Sequence, residues 1–374
     1  MRRFGLALAV AAAALAVGLM IQRGRTEGEY RRLIEAGHAA LAEGRTYAAI
    51  EAFSGALAFR PGSMVAHLRR GEAYQRQDSL DAAARDLTMA AQLDPNATQP
   101  LERLGEVSMA RADYARAADW YAQAAERDVT SAALAYRAGY NRYRAGQIDL
   151  ALPPLRNAVA RAPDEGEMHY VLGLALRDSG DAGRARESLE RAIVLAPALV
   201  AAREALAHLL AGVDPAEHLR QLEALAALAP SVPRHIEVAI AAADAGRTDR
   251  AVLALGSAND LASNDPRLRL ALGRVWLMDA ERKSDRASLR KAAEALAHAA
   301  TSPQTSESLA LMGRLAHLNG ARGEATRLLD RAVELRPVWP EAFRYQADAL
   351  RTDGRTADAD AALARYEALT GKKI

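Results

Sequence analysis

The sequence predicts an all-α fold: a solenoid of about ten helix pairs preceded by one apolar helix. Three observations carry that expectation. Small residues recur at a fixed step of 34 positions, an uncharged run occupies the N-terminus, and the composition is rich in Ala and Leu but only 5% aromatic. With 374 residues, half of them apolar, the chain exceeds what one compact core usually organises. Such a mixture favours helices packed through small side chains over strands, which draw on β-branched and aromatic residues.

The first element is the N-terminal segment. Met1, Arg2 and Arg3 precede residues 4–21, which carry no charge, and Arg23 and Arg25 follow. As a helix the run spans roughly 27 Å, about the thickness of a hydrocarbon core. One reading is an uncleaved inner-membrane anchor that sends the remainder of the chain out as a periplasmic domain. A second is a signal peptide with a small-x-small cleavage site at Ala14, Leu15 and Ala16, giving a secreted product. Arg23, Arg25, Arg31 and Arg32 outnumber Arg2 and Arg3, so a strict count of basic residues supports a third, a cytoplasm-facing tether. The short basic start leading directly into the apolar run favours export. The expected organisation is therefore a membrane anchor or signal segment with a short linker at 1–29 and a repeat domain at 30–374.

The repeats come next. Gly37, Gly71, Gly105, Gly139 and Gly173 stand 34 residues apart. Ala49, Ala83, Ala117, Ala151 and Ala185 keep the same step, as do Ala56, Ala90, Ala124, Ala158 and Ala192. Pro61, Pro95, Pro163 and Pro197 fill a fourth column, with Val129 in the one remaining unit. The Gly and the first Ala belong where two helices approach closely. The second Ala lies two helical turns further along the same face. The Pro halts the second helix. A turn column holds Gly44, Gly146 and Gly180, with Asp78 and Ala112 in the other two units.

This pattern resembles the tetratricopeptide-repeat family, whose units carry Leu-Gly, a Tyr, an Ala, an aromatic and a Pro at these spacings. Residues 98–131 show it best, with Leu104, Gly105, Tyr114, Ala117, Tyr121 and Ala124. The resemblance implies a right-handed solenoid. Beyond Leu199 the pattern continues less regularly. The unit from Val200 is two residues short, and its turn runs through Gly212, Val213, Asp214 and Pro215. The unit from Pro266 carries a net insertion of six residues near Ala280 to Arg290. The ninth unit is regular again at Gly313, Gly320, Ala325, Leu329, Ala332 and Pro337. The weak stretch from Val200 to Ser263 is the expected joint of the array.

Catalytic and metal chemistry is not expected. There is no Cys, the eight histidines show no ligand spacing, and no phosphate-binding or nucleophile motif is present. Asp358 and Asp360 diverge on a terminal helix and read as solvated surface. A balance of 49 Lys and Arg against 47 Asp and Glu gives no basic excess for nucleic acid. The sequence thus predicts no enzyme, no cofactor, no small-molecule substrate and no nucleic-acid partner, but a protein or peptide partner and membrane contact through residues 4–21.

The resemblance implies that the first helix of each pair lines a concave groove. Carried onto these units, its inward columns hold Tyr136, Tyr140, Tyr143 and Arg144 in the fourth repeat. Neighbouring repeats contribute Arg69, Arg76 and Arg103 on one side, and Tyr170 and Arg177 on the other. Tyrosines offer contact area at low entropic cost, and arginines grip carboxylates or carbonyls. The competing reading is that the tyrosines fill inter-repeat packing. Lys and Asn, which clamp a C-terminal carboxylate in the chaperone-binding members, are replaced here by Ile34, His38, Leu68, Glu72, Glu102 and Glu106, so that role is disfavoured. Trp276 is expected at a packing position and Trp120 facing outward. The expected context is a scaffold for an envelope or secretion assembly, of the exopolysaccharide, pilus or cytochrome-maturation type. The alternative is a cytoplasm-facing adaptor for regulation or proteolysis.

Overall fold

The computed structural model describes residues 2–263, 265–299 and 304–371; for residues 2–19, 21, 298 and 299 it describes the backbone alone. Helices account for all regular structure among the described residues. They form two compact units, Met1–Ala196 and Pro197–Ile374. The boundary falls on Pro197, the last proline of the regular column.

In the first unit the helices are α1 (Arg2–Ala42), α2 (Thr46–Phe59), α3 (Met64–Arg76), α4 (Leu80–Leu93), α5 (Gln99–Ala110), α6 (Tyr114–Arg127), α7 (Ala132–Arg144), α8 (Ile148–Arg161), α9 (Gly166–Asp178) and α10 (Ala182–Leu195). The second unit holds α11 (Val200–Leu210), α12 (Pro215–Leu228), α13 (Val232–Asp244), α14 (Thr248–Leu261), α15 (Pro266–Lys283), α16 (Arg286–Ala299), α17 (Ser306–Leu318), α18 (Arg322–Glu334), α19 (Glu341–Thr352) and α20 (Thr356–Thr370). Each odd-numbered helix packs chiefly on the even-numbered helix that follows it, giving ten pairs among the described residues.

The small columns explain the pairing. A Cβ added to Gly37, Gly71, Gly105, Gly139 or Gly173 would stand 2.4 to 2.8 Å from a side chain sixteen positions later: Phe53, Leu87, Tyr121, Leu155 or Leu189. Each of these large side chains is fully buried, so the glycine is the hole into which the second helix inserts its knob. Both alanine columns in the first unit are completely buried. Gly313 and Leu329 repeat the arrangement in the second unit.

Chain reversals follow equally local rules. Gly44, Gly146 and Gly180 adopt positive φ between the paired helices, and Asp78 and Ala112 take φ 58° in the same column. A side chain in that region is strained, so these two units carry a cost that the glycine units avoid. Ser63, Ser131, Asp113 and Asp181 cap helix starts by accepting backbone N–H groups.

The irregular repeats take definite forms. The shortened sixth unit has an α11 of 11 residues, against 13 in α7, α9 and α13. The insertion in the eighth unit lengthens α15 to 18 residues. Its last turns bury Asp279, which accepts hydrogen bonds from Thr248 Oγ1 at 2.5 Å and Ser288 Oγ at 2.7 Å and pairs with Lys283 Nζ at 2.8 Å.

At the N-terminus α1 runs unbroken through Tyr30 as one 41-residue helix. Among the described residues no helix is long and apolar enough to cross a membrane. Apart from Met20, the side chains of residues 4–21, on which the anchor expectation rests, lie outside the described residues.

Candidate functional site

The spacings of four and three between Tyr136, Tyr140 and Tyr143 place all three on one stripe of α7. Leu134, Ala135, Ala138 and Gly139 bury the opposite face. All three rings are half-buried, and Tyr136 stacks on Tyr140 with centroids 5.9 Å apart and planes at 26°. Each hydroxyl has a fixed partner. Tyr136 Oη donates to Glu167 Oε1 at 3.3 Å and Tyr143 Oη to Asp178 Oδ2 at 2.9 Å, both from α9. Tyr140 Oη accepts Arg144 Nη1 at 2.9 Å.

Arg144 ties this stripe to the preceding repeat. Its Nη2 donates to Tyr114 Oη at 2.8 Å, and its guanidinium stands 4.5 Å from the Tyr114 ring centroid and 5.7 Å from that of Tyr140. A guanidinium between two aromatic rings combines cation–π attraction with directed hydrogen bonds. The hydrogen bond to Tyr140 holds the Arg144 pKa above its ordinary value. Burial pushes the Tyr143 phenol up to about 12, with the hydrogen bond to Asp178 adding to it. Burial and the Glu167 carboxylate push Tyr136 up as well. Asp178 moves the other way, held below the usual carboxylate range by Arg177 Nε at 2.8 Å and by Tyr143. The Tyr136 and Tyr143 phenols are therefore neutral donors at physiological pH.

The arginines on the other side of the site are engaged within the chain. Arg69 pairs with Glu72 at 2.8 Å, and Arg103 bridges Glu72 at 3.0 Å and Glu106 at 2.7 Å. Arg137 continues the series toward Glu102 at 3.4 Å. The result is an alternating ladder across α3, α5 and α7. For Arg103, desolvation lowers the pKa, yet Glu106 and Glu72 outweigh it and the net shift is upward. Arg76 Nη1 donates to the Leu41 carbonyl at 2.8 Å, satisfying the C-terminal end of α1. Arg69, Arg76, Arg103 and Arg177 thus already hold the kinds of acceptor expected from a partner. Tyr136, Tyr140, Tyr143, Arg144, Tyr170 and Arg177 come together on α7 and α9. Arg69 and Arg103 join the ladder, and Arg76 lies against the first repeat.

Sequence reasoning missed Tyr114, Glu167 and Asp178. Their offsets of 30, 31 and 35 residues from Arg144, Tyr136 and Tyr143 are one repeat step shifted by a helical turn or less. The 34-residue step alone leads to Ala110, Tyr170 and Arg177, so only a search of the helical turn around each stepped position would have reached them. Trp276 is half-buried against the core, as expected, with Lys291 Nζ 4.0 Å from its ring centroid. Trp120, expected to face outward, instead packs half-buried against the core of repeats two to four.

The sequence profile described as Tetratricopeptide repeat matches residues 136–200. The C-terminal part of a TPR repeat-containing protein from Cytophaga hutchinsonii superposes with a TM-score of 0.54 at 20% identity. That match covers 64% of this chain and 99% of that one. Residues 136–200 thus carry the tetratricopeptide repeat, and the array has the fold of such proteins. A tetratricopeptide-repeat protein from Parabacteroides merdae is also similar, at 15% identity over 66% of this chain and 99% of that one, with a TM-score of 0.46. Among curated proteins, "Cellulose synthase 2 operon protein C" of Komagataeibacter xylinus is 28% identical over 285 residues, covering 69% of this chain. The chain spans 21% of the length of that relative.

Proposed function

We propose that this protein is a non-catalytic scaffold that seats an extended peptide on the tyrosine face of α7 and α9. The observation that carries this reading is the fixed stripe of Tyr136, Tyr140 and Tyr143. Three half-buried rings with their hydroxyls already oriented offer contact area whose rotamer entropy has been lost before a partner arrives. The ladder through Arg69, Glu72, Arg103 and Glu106 holds the neighbouring face in register. Arg144, bound among the described residues only to phenol hydroxyls, borders the stripe as the cation offered to a peptide carboxylate.

The cellular setting is also proposed. Residues 4–21 hold the chain at the bacterial inner membrane, and the repeats work on the periplasmic side in an envelope or secretion assembly. The likeness to a cellulose synthase operon protein favours exopolysaccharide export among such assemblies. The Arg23, Arg25, Arg31 and Arg32 cluster supports the second reading, a cytoplasm-facing adaptor. A compartment-dependent reporter fused after Ile374 separates the two.

The binding reading is tested with the double substitution Tyr140→Ala and Tyr143→Ala. Partner proteins recovered from membranes with the wild type should be lost from the variant, a fall of at least about tenfold for two central aromatic contacts. An unchanged set of partners on a variant with an unchanged melting curve would place the site elsewhere.

A further inference from the structure

Two cavities differ in where they open. One, of about 830 Å³ among α11, α12 and α13, belongs to the inward columns: Glu204 and His208 in its wall stand two repeat steps beyond Tyr136 and Tyr140. Its Leu222 and Leu225 are already packed in the core, and the exposed Glu237 at its mouth is unpaired among the described residues. The other, of about 330 Å³, lies in the corner where α1 overhangs the end of α2, lined by Arg23, Thr26, Glu27, Tyr30, Phe59 and Arg60.

The corner exists because α1 is longer than its counterparts. α3, α5, α7 and α9 begin at Met64, Gln99, Ala132 and Gly166, directly after an inter-repeat turn. α1 begins at Arg2 and passes Tyr30, its own place in the repeat frame, without a break. Residues 22–29 therefore project past the edge on which α2 ends. At that edge Phe59 is exposed, and the Arg60 guanidinium lies 4.3 Å from the Tyr30 ring centroid. Tyr30 is itself fixed, its Oη 2.7 Å from Ser63 Oγ.

The charge of the corner is uneven. Glu27 is shared by Arg31 Nε at 2.9 Å and by Arg60, and Glu29 pairs with Arg32 at 2.8 Å. Arg23 and Arg25 are exposed, and their side chains make no hydrogen bond or ion pair among the described residues. Five arginines thus face two carboxylates. A cationic surplus beside an exposed aromatic ring is the composition that sits at headgroup level in a membrane interface. Along the axis of α1, Arg23 stands about 3 Å past residue 21 and Glu27 about 9 Å. With residues 4–21 in the hydrocarbon core, the corner spans a headgroup layer roughly 5–8 Å deep on each side.

We infer that the corner between α1 and the end of α2 docks on the phosphate of an anionic lipid headgroup. Arg23 and Arg60 bind the phosphate oxygens, and Phe59 enters between headgroups as α1 tilts toward α2. The inference rests on the membrane placement of residues 4–21 proposed above, and it holds on either side of the membrane. Docking gives the first repeat a fixed attitude to the bilayer, because α1 is one unbroken helix from the apolar run into that repeat.

The chain has no Cys, so a single introduced thiol reports one position. Gly62→Cys puts a bimane label on the exposed edge near Phe59, and Glu43→Cys puts one about 30 Å from Arg23 along the α1 axis. The full chain is reconstituted in vesicles of phosphatidylcholine, alone or mixed with phosphatidylglycerol, with a nitroxide quencher on some of the headgroups. The label at residue 62 should be quenched in the phosphatidylglycerol vesicles, and the label at residue 43 in neither. Arg23→Gln with Arg60→Gln should lower the docked-to-undocked ratio at least about tenfold, the effect of two basic residues at an anionic surface. Arg23→Gln alone, which breaks no side-chain contact among the described residues, should lower it about fivefold. Equal quenching in both kinds of vesicle, or quenching indifferent to the substitutions, overturns the docking. So would inorganic phosphate that abolishes the quenching where chloride of equal ionic strength does not, since the occupant would then be a free ion. Extraction with alkaline carbonate separates the two readings. A protein released from the vesicles overturns the anchor and the docking with it, whereas one retained but unquenched at residue 62 overturns the docking alone.

Discussion

The tyrosine face of α7 and the cavity beside α11 use the same repeat columns and reach opposite results. On α7 three inward side chains find partners about one repeat away: Tyr136 on Glu167, Tyr143 on Asp178, Arg144 on Tyr114. On α11 the helix is two residues shorter than α7, and the same columns border empty volume with Glu237 unpaired across it. A repeat that keeps its length inherits satisfied contacts from its neighbours, because each position faces its own counterpart. A repeat that loses a fraction of a turn breaks that correspondence and leaves a cavity of about 830 Å³ beside the shortened helix.

The most severe way to break the regular side is at its knobs. Leu155→Ala should cost about 2–5 kcal/mol, since Leu155 is fully buried. Gly139→Ala should cost about 1–3 kcal/mol, because its new Cβ would lie 2.6 Å from Leu155 Cγ. Combined, the two should cost less than their sum, since the smaller side chain makes room for the added methyl. Urea denaturation of the three variants measures this, and strict additivity would show that the glycine column is not set by its knob.

An intermediate effect is expected in the second unit, where the insertion buries Asp279. Desolvation alone would raise its pKa, but hydrogen bonds from Lys283, Thr248 and Ser288 override it and hold the carboxyl at about 2. Its folded pKa is depressed, so its contribution is complete above the ordinary carboxylate value near 4 and disappears as pH falls toward 2. Asp279→Ala should destabilise by about 1–3 kcal/mol at neutral pH by leaving Thr248 and Ser288 without their acceptor. Between pH 4 and 2 the variant should lose less stability than the wild type. Melting curves across that interval would refute the assignment if the two slopes coincide.

The smallest effects sharpen the contrast through sign. Gly256 on α14 has nothing within 4 Å of an added Cβ, so Gly256→Ala should stabilise by roughly 0.5–1 kcal/mol, opposite to Gly139→Ala. Ala112→Gly should also stabilise, by up to about 1 kcal/mol, by removing the strain at φ 58°. A melting temperature that falls in either variant would contradict the local argument.

Much of the fold was legible before any coordinates. The 34-residue step in Gly, Ala and Pro required the five regular helix pairs, because each small column is a steric statement about how close two helices come, and its looser continuation beyond Leu199 extended the count to ten. The stripe of Tyr136, Tyr140 and Tyr143 was equally readable, since three residues at helical spacing share a face whatever surrounds them. The Arg69–Glu72 pair was readable too, being three residues apart on one helix. The links from Arg76 to the Leu41 carbonyl and from Arg103 to Glu72 were not, since their separations of 35 and 31 residues straddle the repeat step and only packing decides which group comes within reach.

By itself, then, the sequence determined the repeat, its period and the residue types that line each face, since these follow from steric columns and helical periodicity. Only the tertiary structure decided that the expected gripping arginines are already bound within the chain, and that a two-residue deficit in α11 opens a cavity. Both outcomes rest in part on how different helices pack, as in the reach of Arg103 on α5 to Glu72 on α3. Periodicity places such side chains on the same face but does not bring them into contact.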